Sequence, residues 1–331
     1  MNENLIETLT QRILSNIPKN KKPVNFLMDT LNIGRESTYR RIRGNIPFTF
    51  EEIAKLAVKL NISLDEIVGK SVKYSECLSD SQEKEMSNSD KVFFTNHLNY
   101  YELLETISAS EKEKIEITYS LNRLISFFVT DYDNLFKFYY YLWINQSGEN
   151  PSNLSFSEIE LPSYMVSIQQ KIRSKIALLR NVTFILDQNI IVRLIQELQY
   201  YYNRKLISYE TLMEIKADIL CFLDSVEKYI RNGTNDYGAA YFFYISLLNV
   251  DMNSMYGTFN DNVISRYWSH LHNPVNSENN DMIEIHKNWI RSLKRSSILI
   301  SQSNEIVRAS FLNQQRKFIE TITNDLFFYY G

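Results

Sequence analysis

Apolar residues in the first 70 positions recur every three or four residues in short runs, and each run stops at a proline, a glycine or a polar residue. This spacing places the apolar side chains on one face of a helix. The capping-box pairs Thr49 with Glu52 and Ser63 with Glu66 mark two further helix starts. The pattern therefore predicts five short helices in this region, beginning near residues 4, 23, 35, 50 and 64.

Residues 71–92 are rich in Ser, Asp, Glu and Lys and have almost no periodic apolar signal, which is typical of a linker. Beyond them the helical spacing returns, with an unusual number of aromatic residues. The predicted helices lie near 110–128, 131–142, 163–181, 187–204, 209–231, 281–299 and 304–328.

A stretch near residues 240–262 is richer in strand-forming residues, and the turn-forming segment Asp251-Met252-Asn253 lies within it. It indicates one small β-hairpin. We therefore expect a mainly all-α protein with two domains. Residues 1–70 form a five-helix domain, 71–92 a polar linker, and 93–331 a larger helical domain for dimerisation or effector sensing.

Charge separates the two predicted domains. Residues 1–70 contain eleven Lys and Arg against eight Asp and Glu, a net charge of +3, whereas the remainder has 25 against 31, a net charge of −6. A polyanion-binding surface is therefore expected in the first domain. The most apolar later stretch, residues 123–144, is interrupted by charged residues, so we expect a cytoplasmic protein without a membrane span. Cys77 and Cys221 lie far apart and predict no disulfide; Cys221 is expected in a helix core.

The segment from Asn25 to Gly69 carries the functional signal. Its first two helices are separated by the short turn Asn32-Ile33-Gly34, as in a helix-turn-helix, in which the second helix enters the major groove of DNA. Phe26, Leu27 and Leu31 supply the apolar side of the first helix, and Tyr39 and Ile42 are expected to anchor the second.

The segment resembles the lambda-repressor-like helix-turn-helix regulators of the Cro and BetR-like type. The shared features are the turn Leu31-Asn32-Ile33, a polar helix ending at Arg43-Gly44, and the later run of apolar residues from Phe50 to Ile67. The resemblance covers residues 5–69. It implies a five-helix DNA-binding domain that works as a homodimer on a two-fold site in double-stranded DNA.

By position at the start of the recognition helix, residues 35–43, we expect contacts to base edges from Arg35, Glu36, Ser37 and Arg40. Arginine is suited to guanine, glutamate accepts from cytosine, and serine is permissive. Contacts to DNA phosphates are expected from the end of the helix and the following loop, from Arg41, Arg43 and Asn45. Gly34 departs from the Ser or Thr that often caps this helix, which leaves the exact register of the base contacts open.

Other chemistry has little support. No catalytic, nucleotide-binding or metalloprotease motif is present, so neither an enzyme nor a cofactor is expected. His270 and His272 lack further metal ligands at suitable spacing, so no metal site is predicted, and Asp131-x-Asp133 is interpreted as a helix cap.

Aromatic clusters near 100–101, 138–143, 200–202 and 327–330 are interpreted as core, with a ligand pocket as the alternative. In the hypothesis of a DNA-binding regulator, the larger domain dimerises the protein or senses a small-molecule or peptide effector. Two alternatives remain. One is a peptide-responsive regulator whose larger domain forms a helical groove, and the other is an antitoxin or protein-interaction module with an incidental helix-turn-helix.

Overall fold

The structure is a computed structural model that describes residues 2–18, 20–60, 62, 86–111, 115–146, 154–269 and 273–324. The chain divides into two compact units, residues 1–85 and residues 86–331.

The first unit is helical in its described part. Helices α1 (Asn2–Asn16), α2 (Pro23–Leu31), α3 (Arg35–Ile42) and α4 (Phe50–Leu60) confirm the first four predicted helices. The fifth, expected after Ser63, lies outside the described residues. The apolar faces meet in one core, whose fully or nearly buried members are Ile13, Ile17, Phe26, Leu27, Leu31, Phe48 and Leu56.

The second unit is not helical throughout, and the expectation of a mainly all-α protein is wrong. It contains a seven-stranded mixed sheet with the strand order β6-β5-β4-β1-β2-β3-β7. The strands are β1 (Ile115–Leu121), β2 (Val182–Leu186), β3 (Tyr241–Ser246), β4 (Ser254–Phe259), β5 (Asn262–Ser269), β6 (Asn273–Asn276) and β7 (Ser297–Leu299).

Helices join and cover these strands. They are α5 (Asn88–Ser108), α6 (Asp133–Gln146), α7 (Ser163–Ile176), α8 (Val192–Asn203), α9 (Tyr209–Asn232), α10 (Asn280–Arg295) and α11 (Glu305–Glu320). Strands β1, β2 and β3 run parallel, and their connections pass through α6 and α7 and then through α8 and α9. Strands β4 to β6 extend the sheet beyond β1 as an antiparallel meander, and β7 pairs antiparallel with β3.

The prediction of a helix near 110–128 is wrong, because the spacing of its apolar residues fits both the period of a helix and the period of a strand. Ile117 and Leu121 are four residues apart, a spacing that also fits a strand with a period of two. In the structure Ile115, Ile117, Tyr119 and Leu121 are buried on one face of β1. Strand β2 gives no alternation at all, because all five of its residues are buried, as is usual for a central parallel strand.

The predicted hairpin near 240–262 is also wrong in its pairing. Strand β3 pairs with β2 and β7, whereas β4 pairs with β1 and β5, so the segment at Asp251-Met252-Asn253 joins strands that are not neighbours. The hairpin in this region joins β4 to β5 through Asn260 and Asp261.

Helix α5 begins at Asn88, with a capping box between Ser87 and Asp90, within the segment interpreted as linker.

Close packing of β1 on β4 requires a glycine. A Cβ atom at Gly257 would lie 2.9 Å from the carbonyl oxygen of Glu116, closer than real Cβ contacts allow. Gly257 pairs with Ile117, at the centre of the sheet. The glycine therefore lets the antiparallel meander join the parallel strands without a bulge.

Candidate nucleic-acid interface

The turn between α2 and α3 is made by backbone conformations that suit its residues. Asn32 adopts a left-handed conformation with φ 54° and ψ 47°, which asparagine tolerates better than most residues, and its N–H donates to the carbonyl of Met28. Gly34 caps α3 in an extended conformation without a side-chain hydrogen bond. The turn that separates α2 from α3 is therefore only three residues long.

The inner face of α3 is formed by Thr38 and Ile42, and the prediction that Tyr39 anchors this helix is wrong. Thr38 is fully buried, and its Oγ1 donates to the carbonyl of Gly34 at 3.1 Å. Ile42 packs against the core of the unit. Tyr39 is 37% exposed and lies between two guanidinium groups, those of Arg35 at 5.9 Å and Arg43 at 5.8 Å from its ring centre.

Arg41 is held inside the unit. Its Nε donates to Oε2 of Glu52 at 2.9 Å and its Nη2 donates to Oε1 at 2.8 Å. The two hydrogen bonds form a bidentate ion pair between α3 and α4. Its Nη1 donates to Oγ of Ser37 at 2.5 Å. Both charged side chains are nearly buried, with exposures of 11% and 13%. This pairing argues against Arg41 as a phosphate contact.

Glu52 has two roles at the start of α4. Besides pairing with Arg41, it accepts from the N–H of Thr49 at 2.9 Å, and its own N–H donates to Oγ1 of Thr49, which confirms the predicted capping box. Partial burial by itself would raise the pKa of Glu52. The hydrogen bonds from Arg41 and Thr49 outweigh that effect and hold the pKa below its ordinary value.

The other predicted contact residues lie on the outside. Arg35, Glu36 and Arg40 are exposed, as are Arg43 and Asn45 beyond the helix end. Ser37 is only half-buried, but its hydroxyl is engaged by Arg41. The structure therefore places Arg35, Glu36 and Arg40 on the outer face of α3 and Arg43 just beyond its end, with the guanidinium groups of Arg35 and Arg43 next to the ring of Tyr39. The sequence identified Glu52 as part of a capping box. It did not show that Glu52 also reaches α3 and pairs with Arg41.

The two described histidines of the second unit, His97 and His286, have both ring nitrogens within hydrogen-bond distance of protein groups and serve a structural role. His97 is fully buried, with Nδ1 2.8 Å from the carbonyl of Phe93 and Nε2 2.9 Å from Oγ of Ser126. His286 joins α10 to the sheet, with Nε2 2.9 Å from Oγ of Ser254 and Nδ1 2.8 Å from Oγ of Ser265. Burial lowers the pKa of both histidines to about 4. Ser254 and its neighbours are themselves buried, so this cluster offers no accessible nucleophile.

The remaining predictions outside the first unit have mixed outcomes. Asp133 is the first residue of α6, while Asp131 pairs with Arg173. Cys221 is exposed on α9, so its placement in a helix core is wrong. Within the described ranges, no group of three or more His, Cys, Asp or Glu side chains is arranged to hold a metal ion; His270 and His272 lie outside those ranges.

Most of the described aromatic residues in the predicted clusters pack in the interior. Helix α6 is buried on every side, and Tyr100, Phe138 and Tyr141 are fully buried. Tyr101 and Tyr202 are half-buried, and Tyr200 is 44% exposed. The cluster at 327–330 lies outside the described residues.

Comparison of the chain with protein-family models, with curated proteins and with solved structures gives no match. Of the helices in the described part of the chain, none is both long enough and apolar enough to cross a membrane. The assignment of function therefore depends on the geometry of the site itself.

Proposed function

We propose that the chain is a sequence-specific DNA-binding transcription regulator of the cytoplasm, whose first unit recognises double-stranded DNA through α3 and which acts as a homodimer. The observation that carries this proposal is the different placement of the arginines of α3 and its end. Arg41 fixes the helix to α4, and Arg35, Arg40 and Arg43 remain exposed on its outer side.

Each exposed group has chemistry that suits DNA. Arg35 and Arg40 supply planar guanidinium donors for guanine, and Glu36 supplies an acceptor for the amino group of cytosine. Arg43 and Asn45, at the end of the helix, suit phosphate oxygens, which fix the position of a protein on DNA without specifying sequence. Ser37 and Arg41 act as positioning residues, because their polar atoms are bonded to each other and to Glu52.

The proposal is tested by selecting bound duplexes from a random DNA library with the purified full-length protein, across a series of salt concentrations. We expect a palindromic consensus. Arg40→Ala should weaken binding to that consensus by about 1–3 kcal/mol, roughly 5- to 150-fold, and relax the preference at one base pair in each half-site. Arg291→Ala, which removes an exposed arginine of the second unit, is the matched control and should bind normally.

No enriched sequence, together with binding that disappears at moderate salt, would contradict sequence-specific recognition and leave only nonspecific attraction to a polyanion. Equal binding by Arg40→Ala and the wild type would contradict the placement of the recognition surface on the outer face of α3.

A protein-interaction module is the second candidate, because α4 exposes two large apolar side chains. Phe50 is 79% exposed and Val58 is 86% exposed, and a spacing of eight residues places them on one side of the helix. Phe50→Ser combined with Val58→Ser should then prevent a protein complex while leaving the DNA selection unchanged. A regulator with a groove of stacked helix pairs is not favoured, because the second unit is built on a sheet.

A further inference from the structure

The second unit contains a cavity of about 450 Å³ between the sheet and its helices. Strands β1, β2 and β3 form its floor, and α7, α9 and α11 form much of its walls. The volume lies within the range of 300–1,000 Å³ that is typical of sites for small molecules.

The interior of this cavity is apolar. Its wall includes side chains that have no hydrogen-bond donor or acceptor, among them Phe128, Phe184, Leu186, Phe222, Phe243 and Phe311. Most polar groups on the wall have partners within the protein. The hydroxyl of Tyr132 donates to Oγ of Ser225, the amide of Asn235 donates to the carbonyl of Ala177, and Arg173 pairs with Asp131.

Gln315 on α11 belongs to this wall but is fully buried. Its Nε2 donates to the carbonyl of Gln188 at 2.8 Å and lies 3.4 Å from the carbonyl of Phe311, so two acceptors fix the orientation of the amide. Its Oε1 has no hydrogen-bond partner among the described residues and no surface open to the cavity. The amide therefore offers a ligand neither a donor nor an acceptor.

The charged groups around the cavity restrict the class of ligand further. Asp131 pairs with Arg173, and Asp236 pairs with Lys228. On the described wall these pairs leave no carboxylate or guanidinium group free to bind a charged ligand. We propose that this cavity binds a neutral, predominantly apolar small molecule.

The proposal is tested with the neutral fluorescent probe N-phenyl-1-naphthylamine, which has two apolar ring systems and one N–H group, and with its N-methyl derivative, which has no donor. The purified full-length protein is titrated with each probe. We expect saturable binding of one probe molecule per chain. The two probes should bind with affinities within about threefold of each other, because the interior of the cavity is apolar and the oxygen of Gln315 is not open to it.

Two variants locate the probe. Val226→Trp places a large side chain on the α9 wall and should reduce the affinity of both probes by at least about tenfold, whereas Ala217→Trp, an exposed position on the same helix outside the cavity, should leave both unchanged. Far-UV circular dichroism of each variant reports whether the fold is retained.

Three results would overturn the proposal. They are the absence of saturable binding to the wild type, equal binding by folded Val226→Trp and the wild type, and a preference of more than about tenfold for the N–H probe. The first two would show that the cavity is not the binding site, and the third would show that the cavity recognises a hydrogen-bond donor and is not simply apolar.

Discussion

Each of the two units buries an arginine, and the surroundings of the two guanidinium groups differ. In the first unit Arg41 faces the carboxylate of Glu52, with two hydrogen bonds between them. In the second unit Arg266 on β5 is 5% exposed; its Nε donates to Oδ1 of Asn276 at 2.7 Å, and its Nη1 has no partner among the described residues. One arginine is compensated by an opposite charge, and the other by an amide alone.

The difference shows that a buried arginine is weak evidence of function by itself. Arg41 ties α3 to α4, and the ion pair keeps its charge away from the outer face that the proposed DNA contacts occupy. Arg266 lies near the hydroxyls of Tyr100 and Tyr119, which are 3.0 Å apart, and burial lowers the pKa of its guanidinium. Two outcomes follow: removal of Arg41 should destabilise its unit, and removal of Arg266 should not.

Arg41→Ala should produce the largest effect. It leaves the nearly buried carboxylate of Glu52 without its cation, and breaking such a pair costs about 3–5 kcal/mol. The measurement is amide hydrogen exchange of residues 23–60 by mass spectrometry, because all three tryptophans lie in the second unit and do not report on the first. Exchange limited by unfolding of the unit should accelerate by about 100-fold or more.

Arg40→Ala is the control for this prediction, since the exposed Arg40 should contribute less than about 0.5 kcal/mol to stability. Equal protection in Arg41→Ala and Arg40→Ala would show that the ion pair does not hold α3 in place.

Mild acid should weaken the second unit through its two buried histidines, and the effect of each histidine should be at most as large as that of Arg41→Ala. Both have a pKa of about 4 in the folded state, below the value of 6.5 for a free histidine. Between pH 6.5 and 4 the unfolded chain therefore binds protons that the folded chain does not. The stability that the neutral histidines contribute is present above pH 6.5 and falls as the pH decreases, by about 3 kcal/mol for each histidine at pH 4.

Urea unfolding followed by tryptophan fluorescence measures this loss, because Trp143, Trp268 and Trp289 all belong to the second unit. His286→Gln should remove about half of the loss between pH 6.5 and 4. Residues 1–85 contain no histidine, so the first unit should keep its stability until the pH reaches the range of its carboxylates, including Glu52, whose pKa is lowered. A loss of equal size in His286→Gln and the wild type would show that other groups are responsible.

Prediction from sequence succeeded where structure is set by neighbours along the chain. The helix starts at Pro23 and at Thr49 depend on residues within one turn, and both are where the sequence places them. The exposure of Arg35 and Arg40 followed from the helical period in the same way. Tyr39 was misplaced because Thr38 takes the buried position on α3, and the tyrosine next to it is turned outward between two arginines.

The sheet was not predictable by the same means, because its partners are far apart in sequence. Strand β1 pairs with residues more than 60 positions away in β2 and more than 130 away in β4. A pattern such as Ile117 and Leu121 fits a helix and a strand equally, and only these distant pairings decide between them. The cavity and the unsatisfied oxygen of Gln315 depend in turn on that sheet.

Arg266→Met should have the smallest effect and the opposite sign to Arg41→Ala. The buried guanidinium has lost its hydration without gaining an anion, so an apolar side chain of similar volume removes a desolvation cost, and we expect the second unit to be unchanged or more stable by about 1 kcal/mol. Asn276 is exposed, so water can replace the hydrogen bond that it loses. Urea unfolding followed by far-UV circular dichroism is the suitable measurement, because Trp268 lies two residues away and would disturb the fluorescence. A loss of more than about 2 kcal/mol would mean that Arg266 is compensated by an anion or by a partner group, and the contrast with Arg41 would then disappear.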